Sequence, residues 1–320
     1  MFDVLKSTAE IAKKSIFVHI DEDAILNFSE RMAAGRISLP HWDDVHHFRG
    51  PPEETATYIL ILDTLNFCFW PAPGQKRWAI TYHGAVLSGY IALASSLKLA
   101  MEEGIPLMDA QFLADLREED LANILGGKGG LQLMGHRLTA LRELGGLLCA
   151  EYEGKAPVLI ASARRSARKL AHLLASKLDS FRDVATYDDK TVAFLKRAQI
   201  VAADLHGIFQ GKSWGAFTDM NRLTAFADYK VPQVLRHFSI LRYAPELAEK
   251  VDRQILLEAG GREEVEIRAN TIVAVEWIRE ALERQGSRLH AFQIDGYLWN
   301  LGQEAAYRIK PYHRTTTIFY

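Results

Sequence analysis

Cysteine is almost absent from this 320-residue sequence. Cys68 and Cys149 are the only two, each among apolar neighbours, so neither a disulfide framework nor a four-thiolate zinc site can be built. A reduced, intracellular setting is expected. Excess charge of either sign is missing too: 38 Lys and Arg face 40 Asp and Glu, a net charge of -2 with a pI near 6.6. A protein that grips many phosphates along a duplex carries a basic surplus, so no long nucleic acid is expected as a partner. The most apolar stretch, Tyr58 to Trp70, is too short to span a bilayer and is interrupted by Asp63 and Asn66. Met1 to Ser15 has no signal-peptide hydrophobic region. No membrane partner and a cytoplasmic location are expected.

Several chemical signatures are likewise missing. There is no His-Glu-x-x-His and no Cys/His ligand spacing, although His41, His46 and His47 crowd around Trp42 and Phe48; no metal is expected. No Gly-x-Ser-x-Gly elbow and no Gly-x-Gly-x-x-Gly after a strand occurs, so neither a hydrolase triad nor a Rossmann cofactor, nor any other cofactor, is expected. The run Gly126-Gly127-Lys128-Gly129-Gly130 lacks the Gly-Lys-Ser/Thr order of a phosphate loop and reads as a connection between helices.

What is present is helical periodicity over most of the chain, joined by short turns, with no repeat of fixed period. A mainly α fold over a single compact unit, 1–320, is expected, with two helical subdomains and the site between them as one arrangement. The clearest helix is Glu263 to Glu283, where Val265, Ala269, Ile272, Val275, Ile278 and Leu282 recur at spacings of three and four. Other helices are predicted over Asp21–Met32, Glu54–Trp70, Ala85–Glu103, Glu118–Leu125, Leu131–Tyr152, Val158–Leu178, Lys190–Phe209, Met220–Ala227, Pro232–Leu241 and Glu246–Glu258. Ile16–Ile20, Trp78–Tyr82 and Thr315–Tyr320 carry β-branched and aromatic residues suited to a minor β element.

Four places combine polar groups with large rings. On a buried helix over Glu54–Trp70, Asp63, Asn66, Phe67 and Trp70 would fall at i, i+3, i+4 and i+7, on one face. Either Asp63 is satisfied inside the core, or that face lines a pocket in which the rings stack on a flat ligand. In Phe226-Ala227-Asp228-Tyr229-Lys230-Val231-Pro232-Gln233, Asp228 would sit in a tight helix-to-helix turn. The following helix dipole would then keep it ionised and aimed outward, unless it is simply a turn residue. Lys196 lies off the apolar stripe of its helix and by itself reads as a solvated lysine. Asp204 and His206 follow it and either pair locally or face a cleft. Asp295, beside Tyr297, Leu298 and Trp299, either caps a helix start or closes one wall of a site.

Taken in order, Leu62-Asp63-Thr64-Leu65-Asn66-Phe67, Lys196-Arg197-Ala198-Gln199, the block around Asp228, and Ile294-Asp295 with Leu298-Trp299 resemble the queuosine salvage protein family. The resemblance implies a fold similar to the helix-hairpin-helix DNA glycosylases. It also implies release of the base queuine from queuosine 5′-monophosphate, a small-molecule nucleotide. In those glycosylases a catalytic Asp follows a helical hairpin and a Lys precedes it, which implies catalytic roles for Asp228 and Lys196. Queuine is a 7-deazaguanine and lacks the N7 that purine hydrolases protonate, so preorganised charge must carry more of the barrier. Asp228 would face C1′ and take a proton from the attacking water. Asp63 and Asn66 would read the guanine-like edge, with Phe67 and Trp70 or Trp299 stacking on it. Phe226 and Tyr229 would flank Asp228, and Asp295 would meet the secondary ammonium of the side arm. Phosphate would fall to Lys230 first, then Arg236, His237 or Arg197. A nucleic-acid glycosylase on the same scaffold and a non-catalytic binder of a modified base are the competing readings.

Overall fold

The computed structural model describes residues 2–35, 39 and 41–320. Among these, fourteen α-helices and three two-stranded antiparallel ribbons make the chain mainly helical. In order they are α1 (Val4–Ala12), β1 (Val18–Ile20), α2 (Glu22–Ala34), α3 (Pro52–Leu65), β2 (Ala79–Tyr82), β3 (Ala85–Ser88), α4 (Tyr90–Glu102), α5 (Ala110–Ala114), α6 (Glu118–Leu125) and α7 (Met134–Glu151). Then follow α8 (Ala156–Ser162), α9 (Ala167–Lys177), β4 (Val184–Tyr187), β5 (Lys190–Ala193), α10 (Lys196–Ile208), α11 (Lys230–His237), β6 (Leu241–Tyr243), α12 (Pro245–Asp252), α13 (Arg262–Arg284) and α14 (Ala291–Leu301). Strand β1 pairs with β6, β2 with β3 and β4 with β5. No described helix is long and apolar enough to cross a membrane.

Two apolar clusters organise these elements. One gathers side chains of α3 to α10, and the other those of α1, α2, α11, α12, α13 and α14. Helix α13 is the spine of the second, packing against α1, α2, α11 and α14. Its predicted stripe, from Val265 to Leu282, is buried as the spacing requires.

The sequence-predicted boundaries fail where tertiary contacts outbid local periodicity. Helix α3 ends at Leu65, so Asn66, Phe67 and Trp70 do not continue its face. The fully buried guanidinium of Arg137 donates to the carbonyls of Leu65, Phe67 and Cys68. Those groups are thereby satisfied without a further helical turn, and Trp70, which precedes Pro71, is disfavoured in the helical region anyway. The helix expected over Met220–Ala227 is a single 3₁₀ turn, Met220–Arg222, followed by irregular chain. Three side chains take over its backbone: Gln199 Oε1 accepts from Thr224 N (2.9 Å), Asp295 Oδ1 accepts from Phe226 N (2.8 Å), and Arg268 Nε donates to the Ala227 carbonyl (3.0 Å). The helix expected over Lys190–Phe209 begins as β5, and Leu195, with φ of 50°, turns the chain so that Lys196 opens α10. Ala85–Glu103 likewise starts as β3 before α4, and Val158–Leu178 divides into α8 and α9 at Arg164 and Arg165, both with positive φ. The tail Thr315–Tyr320 forms no strand.

Candidate active site

Asp228 stands just ahead of α11, 6% exposed. Its Oδ1 accepts from the backbone N–H of Lys230 (2.7 Å) and of Val231 (2.9 Å), satisfying two of the donors that a helix start leaves free. Among the described residues no group bonds its Oδ2. The expected contact with the helix terminus therefore forms, but the carboxylate points into the protein rather than outward. Burial pushes it above the usual carboxylate range, while the Lys196 ammonium and the two N–H groups pull it back.

Lys196 corrects the surface reading outright, being only 6% exposed. Its backbone N donates to Asp183 Oδ2 (3.0 Å) at the first turn of α10. Burial lowers the ammonium below its ordinary value, opposed chiefly by Asp228 and further by Asp63 and Asp295. Four carboxylates, those of Asp63, Asp204, Asp228 and Asp295, feel this one lysine.

Asp63, in the last turn of α3, is fully buried. Asn66 Nδ2 donates to its Oδ1 at 3.3 Å, whereas its Oδ2 has no partner. Burial and then the neighbouring Asp204 raise it well above an ordinary carboxyl. Asp204, eight residues along α10 from Lys196, is raised to about 7 by burial. Its Oδ2 lies 3.3 Å from the Tyr90 hydroxyl oxygen, which also lies 2.9 Å from His47 Nε2. Tyr90 escaped the sequence reading, in which His47 appears only as one of the histidines around Trp42 and Phe48; the available signal was Asp204 on the same helix as Lys196.

The remaining expected residues divide. Trp299 of α14 is half-buried and meets the Tyr90 ring edge-on at 6.1 Å, beside the acidic cluster. Asp295 is not a helix cap: it lies in the middle of α14, and its Oδ1 holds the Phe226 backbone. Burial and then Asp228 raise it well above the usual range. Phe226 is buried, and the Tyr229 ring packs 4.9 Å from that of Tyr312. Phe67 and Trp70 depart from the expected shared face with Asp63. They form a small core with Cys68, the guanidinium groups of Arg137 and Arg197 lying 4.2 and 4.9 Å from the Phe67 ring centre and Arg314 5.5 Å from that of Trp70.

Of the phosphate candidates, Lys230 alone stays beside Asp228. Its Nζ donates to the Gly302 carbonyl (3.3 Å) and to Gln233 (3.4 Å) and lies 5.3 Å from the Tyr312 ring centre. Burial, then the like charge of Arg308 and also of Arg77, bring it down to about 8. Arg308 Nε donates to the same Gly302 carbonyl (2.9 Å), and Arg77 Nη2 reaches the Tyr312 hydroxyl (3.4 Å). Arg197 is spent on the carbonyls of Asp63, Thr64 and Ser180, and Arg236 on Asp252. His237 sits at the opposite end of α11 from Lys230, about 10 Å away along the helix axis, packed against Phe238 and Tyr307.

Comparison with known proteins identifies the family. The model of the queuosine salvage protein family matches residues 46–320. A queuosine 5′-phosphate N-glycosylase/hydrolase of Sphaerobacter thermophilus is 48% identical over 317 residues, covering 99% of this chain and 97% of the relative. Proteins of the same description from Bos taurus and Dictyostelium discoideum are 32% identical (98% of each chain) and 38% identical (84% and 79%). The chain belongs to the queuosine salvage protein family.

Proposed function

We propose that this protein hydrolyses the N-glycosidic bond of queuosine 5′-phosphate and releases queuine for salvage. The observation that carries the reading is near-complete coverage by relatives of that activity, together with a buried carboxylate–ammonium pair, Asp228 and Lys196, at the starts of two helices. Water adds to C1′ as the C1′–N9 bond breaks and its electron pair leaves with the base. Asp228 takes the proton of that water through its Oδ2 and returns it to the departing base. A positioned general base contributes about 10²–10⁴ in rate, and the Lys196 ammonium offsets negative charge at the reacting centre.

Asp63 and Asn66 offer acceptor and donor to the guanine-like edge, and Trp299 is the ring for stacking. Arg77 and Arg308 gather around Lys230, itself beside Asp228, and the three positive charges are chemistry suited to one phosphate. This small basic cluster within a near-neutral chain supports a free nucleotide over long nucleic acid, and a cytoplasmic enzyme fits that substrate. The Lys196 and Asp228 order along the chain supports a likeness to helix-hairpin-helix DNA glycosylases. The two apolar cores would then act as subdomains of one catalytic unit, with the substrate between them.

The test is incubation of purified protein with queuosine 5′-phosphate and chromatography of the products. Free queuine is expected, and its absence beside an active control rejects the reading.

A further inference from the structure

A single hydroxyl carries two contacts that its one proton cannot both serve. Tyr90 Oη lies 2.9 Å from His47 Nε2 and 3.3 Å from Asp204 Oδ2. His47 Nδ1 lies 2.7 Å from the backbone carbonyl oxygen of Asp43, which only accepts, so Nδ1 carries a proton. Two arrangements remain. In one, Nε2 accepts the Tyr90 proton and a protonated Asp204 donates to Oη. In the other, Nε2 is protonated and Tyr90 donates to an Asp204 carboxylate. Both contain the same number of protons and differ only by a shift along the row Asp204, Tyr90, His47. Burial chooses between them, because it lowers His47 and raises Asp204 to about 7. Both shifts favour the arrangement with the proton on Asp204 in the free protein.

The groups facing Asp204 are Tyr90 from α4, Asp63 and Tyr58 from α3, and Lys196 from its own helix. Asp63 nearby is fully buried, its Oδ2 is unpartnered, and the Asp204 charge adds to the cost of ionising it. Lys196 acts on all four carboxylates, Arg197 also on Asp63 and Lys230 also on Asp228, so three cations face four carboxylates and the cluster is short of positive charge. Neutral N–H donors leave that deficit in place, whereas a cationic ligand removes it.

Resting on the reading just given, we infer that Asp204 is a further specificity-determining residue, the acceptor for the secondary ammonium of the substrate's side arm, with Tyr90 and His47 as positioning residues that take up its proton. On binding, the Asp204 proton passes to Tyr90 Oη while the Tyr90 proton passes to His47 Nε2. No heavy-atom bond changes, and no proton enters or leaves. The ammonium then meets a carboxylate, and the imidazolium is held beyond the tyrosine. Asp295, the residue expected for this job from the sequence, has one oxygen committed to the Phe226 backbone.

The experiment compares queuine with 7-deazaguanine, which shares the bicyclic base but lacks the side arm and its charge. In calorimetric titrations, the preference for queuine over 7-deazaguanine should fall about 10- to 100-fold in Asp204→Asn, as loss of a charge-assisted contact does. Tyr90→Phe should reduce the same preference and make it rise with pH, because the Asp204 proton must then leave for solvent. In ¹⁵N-histidine spectra of the unsubstituted protein, queuine should protonate His47 Nε2 and 7-deazaguanine should not. An unchanged preference in both variants, or an unprotonated Nε2 with queuine bound, overturns the inference. Failure of the unsubstituted protein to cleave queuosine 5′-phosphate is a different result, which removes the glycosylase reading itself.

Discussion

Arg268 grips Asp183 through two hydrogen bonds of 2.9 and 2.6 Å, both side chains 3% exposed, and the pair's spare groups hold the backbones of both candidate catalytic residues. Arg268 Nε donates to the carbonyl of Ala227, one residue before Asp228, and Asp183 Oδ2 accepts from the backbone N of Lys196. The Asp183 carbonyl additionally accepts from Phe194 N and Leu195 N. One ion pair thereby sets the separation between α10 and the turn ahead of α11.

Removing one partner of that pair should be costly. Asp183→Ala leaves the buried guanidinium with only the longer contact to Glu264, 3.5 Å away, and a loss of about 3 kcal/mol is expected in urea unfolding. A double change, Asp183→Leu with Arg268→Met, should cost less than the sum of the two single changes. Additive losses would show that the pair is not a unit.

Asp228→Asn preserves an oxygen for the N–H groups of Lys230 and Val231 but removes the base. Release of queuine should fall by about 10²–10⁴, while queuine affinity measured by calorimetry stays close to that of the parent. Near-normal turnover would mean that another group accepts the proton.

Activity should trace a bell against pH. Burial raises Asp228, and the carboxylate is the working form, so the rate climbs as pH rises through that raised value. Lys230 titrates near 8 and binds phosphate only when charged, so KM worsens as pH passes above that region. The falling limb should vanish when queuosine without its phosphate is the substrate; its persistence would assign that limb elsewhere.

Lys230→Met should raise KM for queuosine 5′-phosphate about tenfold or more, the loss of one charged hydrogen bond, with a smaller effect on kcat. The same change should barely alter handling of the unphosphorylated nucleoside. Equal effects on both would show that Lys230 supports the fold rather than the phosphate.

Phe67→Ala provides a test of the corrected assignment. As a core ring beneath two guanidinium groups it should cost about 3–5 kcal/mol of stability, visible as a lower unfolding midpoint. The folded fraction should keep its queuine affinity. A selective loss of affinity at unchanged stability would restore the stacking role.

Asp63, Lys196, Asp228 and Asp295 were all singled out from sequence, yet their settings were not legible there. Helical spacing carried α13 well because its stripe is satisfied by packing alone. The same logic extended α3 past Leu65 and made a helix of Met220–Ala227. It could not see Arg137, Gln199, Asp295 and Arg268, which lie far off in the chain and capture those backbones. Lys196 looked solvated because amphipathic patterning reports one buried stripe per helix, and α10 is covered on more than one side. Only Asp204, on the same helix as Lys196, hinted at Tyr90 and His47, since a tyrosine and a histidine acquire a relay only through what they touch.

Periodicity by itself determined the mainly helical class, and the order of short residue blocks pointed, by resemblance, to the family and to Asp228 and Lys196, because these are properties of the chain read locally. Tertiary structure alone decided that the pair is buried, that one lysine answers to four carboxylates, and that Arg197, Arg236 and His237 serve elsewhere. Charge states and hydrogen-bond partners depend on desolvation and on neighbours distant in sequence, and neither exists until the two cores have closed.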